Sequence, residues 1–128
     1  MAGKIIADTI QHSTAGSVTT DYVVNGVAKV WYQVDGTGTA TIDDSNNTSS
    51  LVDEGTGQYT ISFTNSMGNT NYALTQGVEY TYSGSMVIAT YTEASKVTGS
   101  CRPIHNAATG GSSVDVPETS GIIAGDLA

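Results

Sequence analysis

The sequence predicts an all-β fold, an antiparallel β-sandwich of jelly-roll type with an extended N-terminal arm, and three observations carry that expectation. Charged residues make up 12% of the 128-residue chain, roughly half the usual share of about 25%. Gly, Ser, Thr and Asn take their place, a mix that favours sheet and turn over helix. Short runs of alternating apolar and polar residues recur between Gly- and Asn-rich reversals, the spacing of a sandwich or barrel. No run shows a convincing helical period. The length suits one domain with a modest core: residues 1–20 as an arm or first strand, and residues 21–128 as the sandwich.

The elements follow in order. Residues 1–20 have no firm period, and Ile5, Ile6 and Ile10 need burial somewhere, against a neighbouring chain if not within this one. From residue 21 the period is two. Ala28, Val30, Tyr32 and Val34 share one face, and Lys29, Trp31 and Gln33 the other. The segment D-G-T-G-T (35–39) reads as a tight reversal, because Gly36 and Gly38 tolerate positive φ. A strand resumes to Ile42. D-D-S-N-N-T-S-S (43–50) reads as a polar loop, and L-V-D-E-G-T-G-Q carries a second glycine reversal. Q-Y-T-I-S-F (58–63) is the cleanest strand, with Tyr59, Ile61 and Phe63 inward. Residues 65–70 form a turn, and short strands follow around Gly77. S-M-V-I-A-T-Y-T-E (85–93) is the densest apolar run, expected as a central strand buried on both faces. Residues 102–113 read as strand edge and then loop, and Pro117 fits a turn before the closing S-G-I-I-A-G.

Composition excludes several function classes. The net charge is −8, from 12 acidic against 4 basic residues, and Lys4, Lys29, Lys96 and Arg102 are scattered. Nucleic acid is not an expected partner, because phosphate binding needs clustered Lys and Arg. No apolar run approaches the ~20 residues of a membrane span, so no membrane partner is expected. The N-terminus lacks the pattern of a secretory signal, so synthesis in the cytoplasm is expected. The lone Cys101 has no internal partner and reads as a small, partly buried residue.

Catalytic and metal chemistry find little support, and neither an enzyme nor a cofactor is expected. His12 and His105 are the only histidines, and neither zinc spacing nor a G-x-S-x-G elbow occurs. The pairs Asp43–Asp44 and Asp53–Glu54 offer oxygens that suit calcium, without an EF-hand spacing. Adjacent acids on a turn are ordinarily solvated. The G-T-G-T segment leads into a strand, not into the helix N-terminus that a phosphate cradle needs. The seven tyrosines, with Tyr80 and Tyr82 sharing a face, and Trp31 either pack a core or anchor a contact with sugar or protein.

The run from Tyr22 to Leu74 resembles a recurrent structural module of tailed bacteriophages, marine ones especially. The resemblance rests on V-N-G-x-A-K-x-W at 24–31, D-G-T-G-T at 35–39, N-x-S-S at 47–50, D-x-G-T-G-x-Y-T at 53–60, F-T-N-x-M at 63–67 and N-Y-A at 71–73. The lead-in from Ala7 and the ending G-S-S-V-D-V-P-E-T-S-G-I-I-A-G-D are similar too, while 74–112 match loosely. The resemblance implies a virion structural protein with a β-sandwich fold, commonly trimeric, made in the host cytoplasm and carried on the outer surface of the particle.

Two functions follow from that resemblance. The first is a capsid decoration (cement) protein partnered with the major capsid protein, attached through Ile5, Ile6 and Ile10. The short chain, with no shaft or coiled coil, favours it. The second is a tail-fibre or head-fibre tip that binds a glycan or protein of the host surface. Trp31, Tyr59 and Phe63 are expected to be packing anchors, with Trp31 placed within the sandwich or at a subunit contact.

Overall fold

A computed structural model describes residues 6–79, 87–90, 95–108 and 110–128. The architecture is all-β and sandwich-like, with antiparallel sheets and, among the described residues, one short helix. The chain begins with a hairpin, β1 (Thr9–His12) and β2 (Gly16–Thr19), which forms a two-stranded sheet of its own. Helix α1 (Thr20–Gly26) follows. One sheet is then built from β3 (Ala28–Asp35), β4 (Thr41–Asn46), β7 (Ala73–Val78) and β12 (Thr119–Ala124), in the order β4-β3-β12-β7. The other contains β5 (Thr48–Gly55), β6 (Gln58–Phe63), β8 (Val87–Thr90), β9 (Lys96–Val97), β10 (Ser100–Cys101) and β11 (Ile104–Ala107).

The alternation read from the sequence decides which side chains meet between the sheets. Val30, Tyr32 and Val34 of β3 and Ile123 of β12 face Tyr59, Ile61 and Phe63 of β6, with Met67, Tyr72 and Cys101 completing the core. Both glycine reversals form where expected. Asp35 Oδ1 accepts from the Thr37 hydroxyl at 2.6 Å and the Thr37 amide at 2.7 Å. Those two bonds, the hydroxyl's first, hold its carboxyl below the usual range. Gly38 takes φ +67°, and Gly57 the same in the second reversal. Gly36 is a glycine for a different reason: a Cβ there would lie 2.2 Å from the Tyr59 hydroxyl. Likewise Tyr32 lies across its strand partner Gly121, where a Cβ would come within 2.3 Å of the ring. The bulk of the core aromatics is thus accommodated by glycines on the opposing backbone.

Four readings are corrected. The polar segment 43–50 is strand, not loop: β4 ends at Asn46, β5 starts at Thr48, and the chain changes sheet across Asn47 alone. Asn47 stands at φ +58°, a conformation Asn adopts more readily than other side-chain-bearing residues. Its Oδ1 accepts from the Asn65 amide at 2.7 Å, and its Nδ2 donates to the Asn65 carbonyl at 3.1 Å. A side chain that replaces lost ladder bonds makes a one-residue corner possible. Residues 20–26 are helical although their pattern reads as strand. Helix α1 has no side-chain N-cap bond and buries no residue, so neither capping nor an apolar stripe announces it.

The third correction concerns 85–93. Its described part, β8, stands at one end of the sheet order among the described residues, paired with β11, and residues 85, 86 and 91–93 lie outside the described residues. The interior strands of the other sheet are β3 and β12, the latter between β3 and β7. Fourth, residues 102–113 run from strand to loop as read, but the strand is not an edge: β11 lies between β8 and β6 and continues the line of β10 along β6, interrupted at Pro103, which has no amide to donate but whose carbonyl accepts from the Tyr59 amide at 3.4 Å.

Two polar ties cross between the sheets. His105 of β11 is fully buried, with Nε2 2.9 Å from Thr119 Oγ1 of β12. Thr119 Oγ1 donates to the Gly77 carbonyl of β7 at 3.2 Å, so the imidazole must donate through Nε2–H. Nδ1 has no hydrogen-bond partner among the described residues, and burial lowers the pKa to about 4. In the second tie, the Tyr59 hydroxyl lies 2.9 Å from Asp115 Oδ1 and 3.2 Å from the Gly36 carbonyl, while the Gly57 amide donates to Asp115 at 2.7 Å. The Cys101 thiol is buried in the core, which pushes its pKa up to about 12.

Candidate interaction surface

The apolar side chains expected to meet a partner stand in solvent. Ile6 is 83% exposed and Ile10 51%. Ile5 lies outside the described residues. Ile10 pairs across the β1–β2 hairpin with Val18, also exposed, so one hairpin position carries two aliphatic groups. Helix α1 and the residue after it add Tyr22, Val24 and Val27, all exposed. The segment is held internally by the Thr20 amide and hydroxyl, which both donate to the Asp8 carbonyl at 2.9 and 3.2 Å. The Lys29 ammonium of β3 donates to the Val24 carbonyl near the end of α1, a favourable place for a cation. From Ile6 to Ala28 no described side chain is buried.

A second apolar surface lies on the outer face of the four-stranded sheet. Trp31 is 36% exposed, and its strand partner Ile122 is 55% exposed. Trp31 as an anchor within the sandwich is therefore corrected: odd positions of β3 face outward, and residue 31 is one of them. Tyr59 and Phe63 are buried in the core, as expected. Ile122 escaped the sequence reading although a signal was present. Two consecutive isoleucines in a strand face opposite ways, so one of Ile122 and Ile123 had to point outward. Tyr22, Val24 and Val27 were missed because the helix was.

Three of the four carboxylates considered for calcium accept local hydrogen bonds. Asp44 Oδ1 accepts from the Ser45 amide at 2.8 Å, Asp53 Oδ1 from the Gly55 amide at 2.9 Å, and Glu54 from the Thr60 hydroxyl at 2.8 Å. Asp44 stands on β4 and Asp53 and Glu54 on β5, in different sheets. Among the described residues no group of three or more His, Cys, Asp or Glu is placed to hold a metal ion. His105, the one histidine whose side chain is described, has no solvent exposure and ties the sheets together. Tyr80 and Tyr82 lie outside the described residues.

No helix among the described residues is long and apolar enough to cross a membrane. In comparisons with known proteins, no family model, no curated protein and no solved structure matches the chain.

Proposed function

We propose that the chain is a bacteriophage virion structural protein and, within that class, a capsid decoration protein that stabilises the head from outside. The observation that carries this reading is the N-terminal segment, where Ile6, Ile10, Val18, Tyr22, Val24 and Val27 are exposed together. Fully burying one such aliphatic or aromatic group contributes roughly 1.5–3 kcal/mol. A segment offering several can offset the cost of association, and repeated copies on a shell add avidity. The motifs from Val24 to Ala73 support the phage assignment. The partner is the major capsid protein, the protein assembles as a homotrimer, and its place is the outer surface of the virion.

A fibre tip that binds the host surface is the second reading. The exposed Trp31–Ile122 face favours it, because an aromatic beside an aliphatic in solvent is a contact surface in waiting. Quantitative mass spectrometry of purified virions separates the two. A copy number close to that of the shell subunits is the expected result. A few copies per particle assigns the chain to a fibre, and absence from the particle overturns both readings.

A further inference from the structure

We propose that the groove at the β4–β5 corner binds a short oligosaccharide. The groove has a volume of about 560 Å³ and is lined by Val27, Ala28, Lys29, Asn46, Asn47, Thr64, Asn65 and Leu127. That volume lies within the ~300–1,000 Å³ usual for small-molecule sites. Five of the lining residues are polar, and none is acidic on a chain of net charge −8. The acids elsewhere disfavour anions at long range, while this lining offers amides, a hydroxyl and one ammonium.

The lining is pre-organised. The Asn65 side-chain amide donates to Asn47 Oδ1 at 3.0 Å, and the Thr64 amide to the Asn47 carbonyl at 3.1 Å. Together with the backbone bonds of Asn65, these fix both asparagines before any ligand arrives. Within the described residues no hydrogen bond engages the Asn46 side-chain amide, the Thr64 hydroxyl or Asn65 Oδ1. Paired donors and acceptors on short side chains are what vicinal hydroxyls require.

Trp31 supplies the remaining feature. Asn46 is its cross-strand partner and Lys29 lies two residues before it on the same face, so Trp31, though not itself in the lining, is a direct neighbour of two residues that are. An exposed ring next to amides suits the apolar face of a pyranose with its hydroxyls at the edge. A peptide is the poorer fit, since the lining contains no enclosed apolar pocket for an anchoring side chain. The proposal stands whether the chain sits on a head or a fibre.

Trp31 is the sole tryptophan, so its emission reports on the site. The full chain would be screened on a broad glycan array, and each glycan retained would be titrated as a free trisaccharide against Trp31 fluorescence. The expected result is a saturable change for at least one glycan, weakened tenfold or more by Asn46→Ala and by Thr64→Val, and unchanged by Val97→Thr. Circular dichroism would check that each variant remains folded, and Asn46 is exposed, so its truncation spares the core. The proposal is overturned if no array glycan gives saturable binding, or if binding survives both groove variants.

Discussion

Residues 6–28 and the sandwich that follows use the same kinds of side chain to opposite ends. In the sandwich, Val30, Tyr32, Tyr59 and Ile61 meet one another between two sheets and leave at most 1% of their surface in water. In the N-terminal segment, Ile6, Ile10, Tyr22 and Val24 meet water. Period-two alternation buries a residue only where a second sheet covers the face. The β1–β2 hairpin pairs with itself and, among the described residues, joins neither of the two larger sheets. The difference is one of cover, not of composition, and the uncovered set is the one the proposed attachment would use.

The contrast breaks most sharply at an aromatic ring inside the sandwich. Tyr59→Ala removes a fully buried ring, its contact with Asp115 and its bond to the Gly36 carbonyl. The expected loss is about 3–5 kcal/mol, a drop in melting temperature of roughly 10–20 °C by calorimetry. A drop of a few degrees would mean that the two sheets do not depend on this contact.

The inter-sheet tie at His105 predicts a pH dependence. Burial holds its pKa near 4 in the folded chain, against an ordinary value of about 6.5. As pH falls through 6.5 the unfolded chain takes up a proton that the folded chain refuses, so stability declines between about 6.5 and 4 and is insensitive to this group above 6.5. The full effect is up to about 3 kcal/mol. Melting temperature measured from pH 8 to pH 4 should show that decline, with the slope in this window reduced in His105→Gln. An equal slope in the variant would assign the acid sensitivity to carboxylates.

Much of the sandwich was legible because its signal is local. Tyr59, Ile61 and Phe63 alternate with polar neighbours, and D-G-T-G-T and E-G-T-G name their own turns. The corner at Asn47 was not legible: it depends on bonds to Asn65, 18 residues away in sequence, and the surrounding polar residues look like a loop. The central position of β12 was hidden for the same reason, since pairing with β3 and β7 is set by tertiary order. At the candidate surface, Ile6 and Ile10 were marked by apolar character without periodicity. The tie of His105 to Thr119 was not legible, because a lone histidine carries no spacing pattern.

A smaller effect sharpens the comparison from outside the core. Trp31→Ala truncates the largest side chain in the sequence, yet on the outer face it should cost no more than about 1 kcal/mol. Measured beside Tyr59→Ala by chemical denaturation, it separates ring size from ring burial. A loss of 3 kcal/mol or more would place the indole under cover in solution, in a contact between copies.

The smallest expected change in stability carries the largest functional consequence. Deleting residues 1–26 removes the hairpin and α1, none of whose described side chains is buried. The sandwich should keep its melting temperature to within about 2 °C, because what is lost amounts to exposed groups worth a few tenths of a kcal/mol. Occupancy on heads should fall to background. The two readouts make the test asymmetric. A stable, unbound variant is what an attachment segment requires. A stable variant that still decorates heads shows that the apolar side chains of residues 6–27 are not the contact, and moves attention to the Trp31–Ile122 face. A variant that unfolds shows that the segment lies on the sandwich, and the distinction between covered and uncovered residues fails with it.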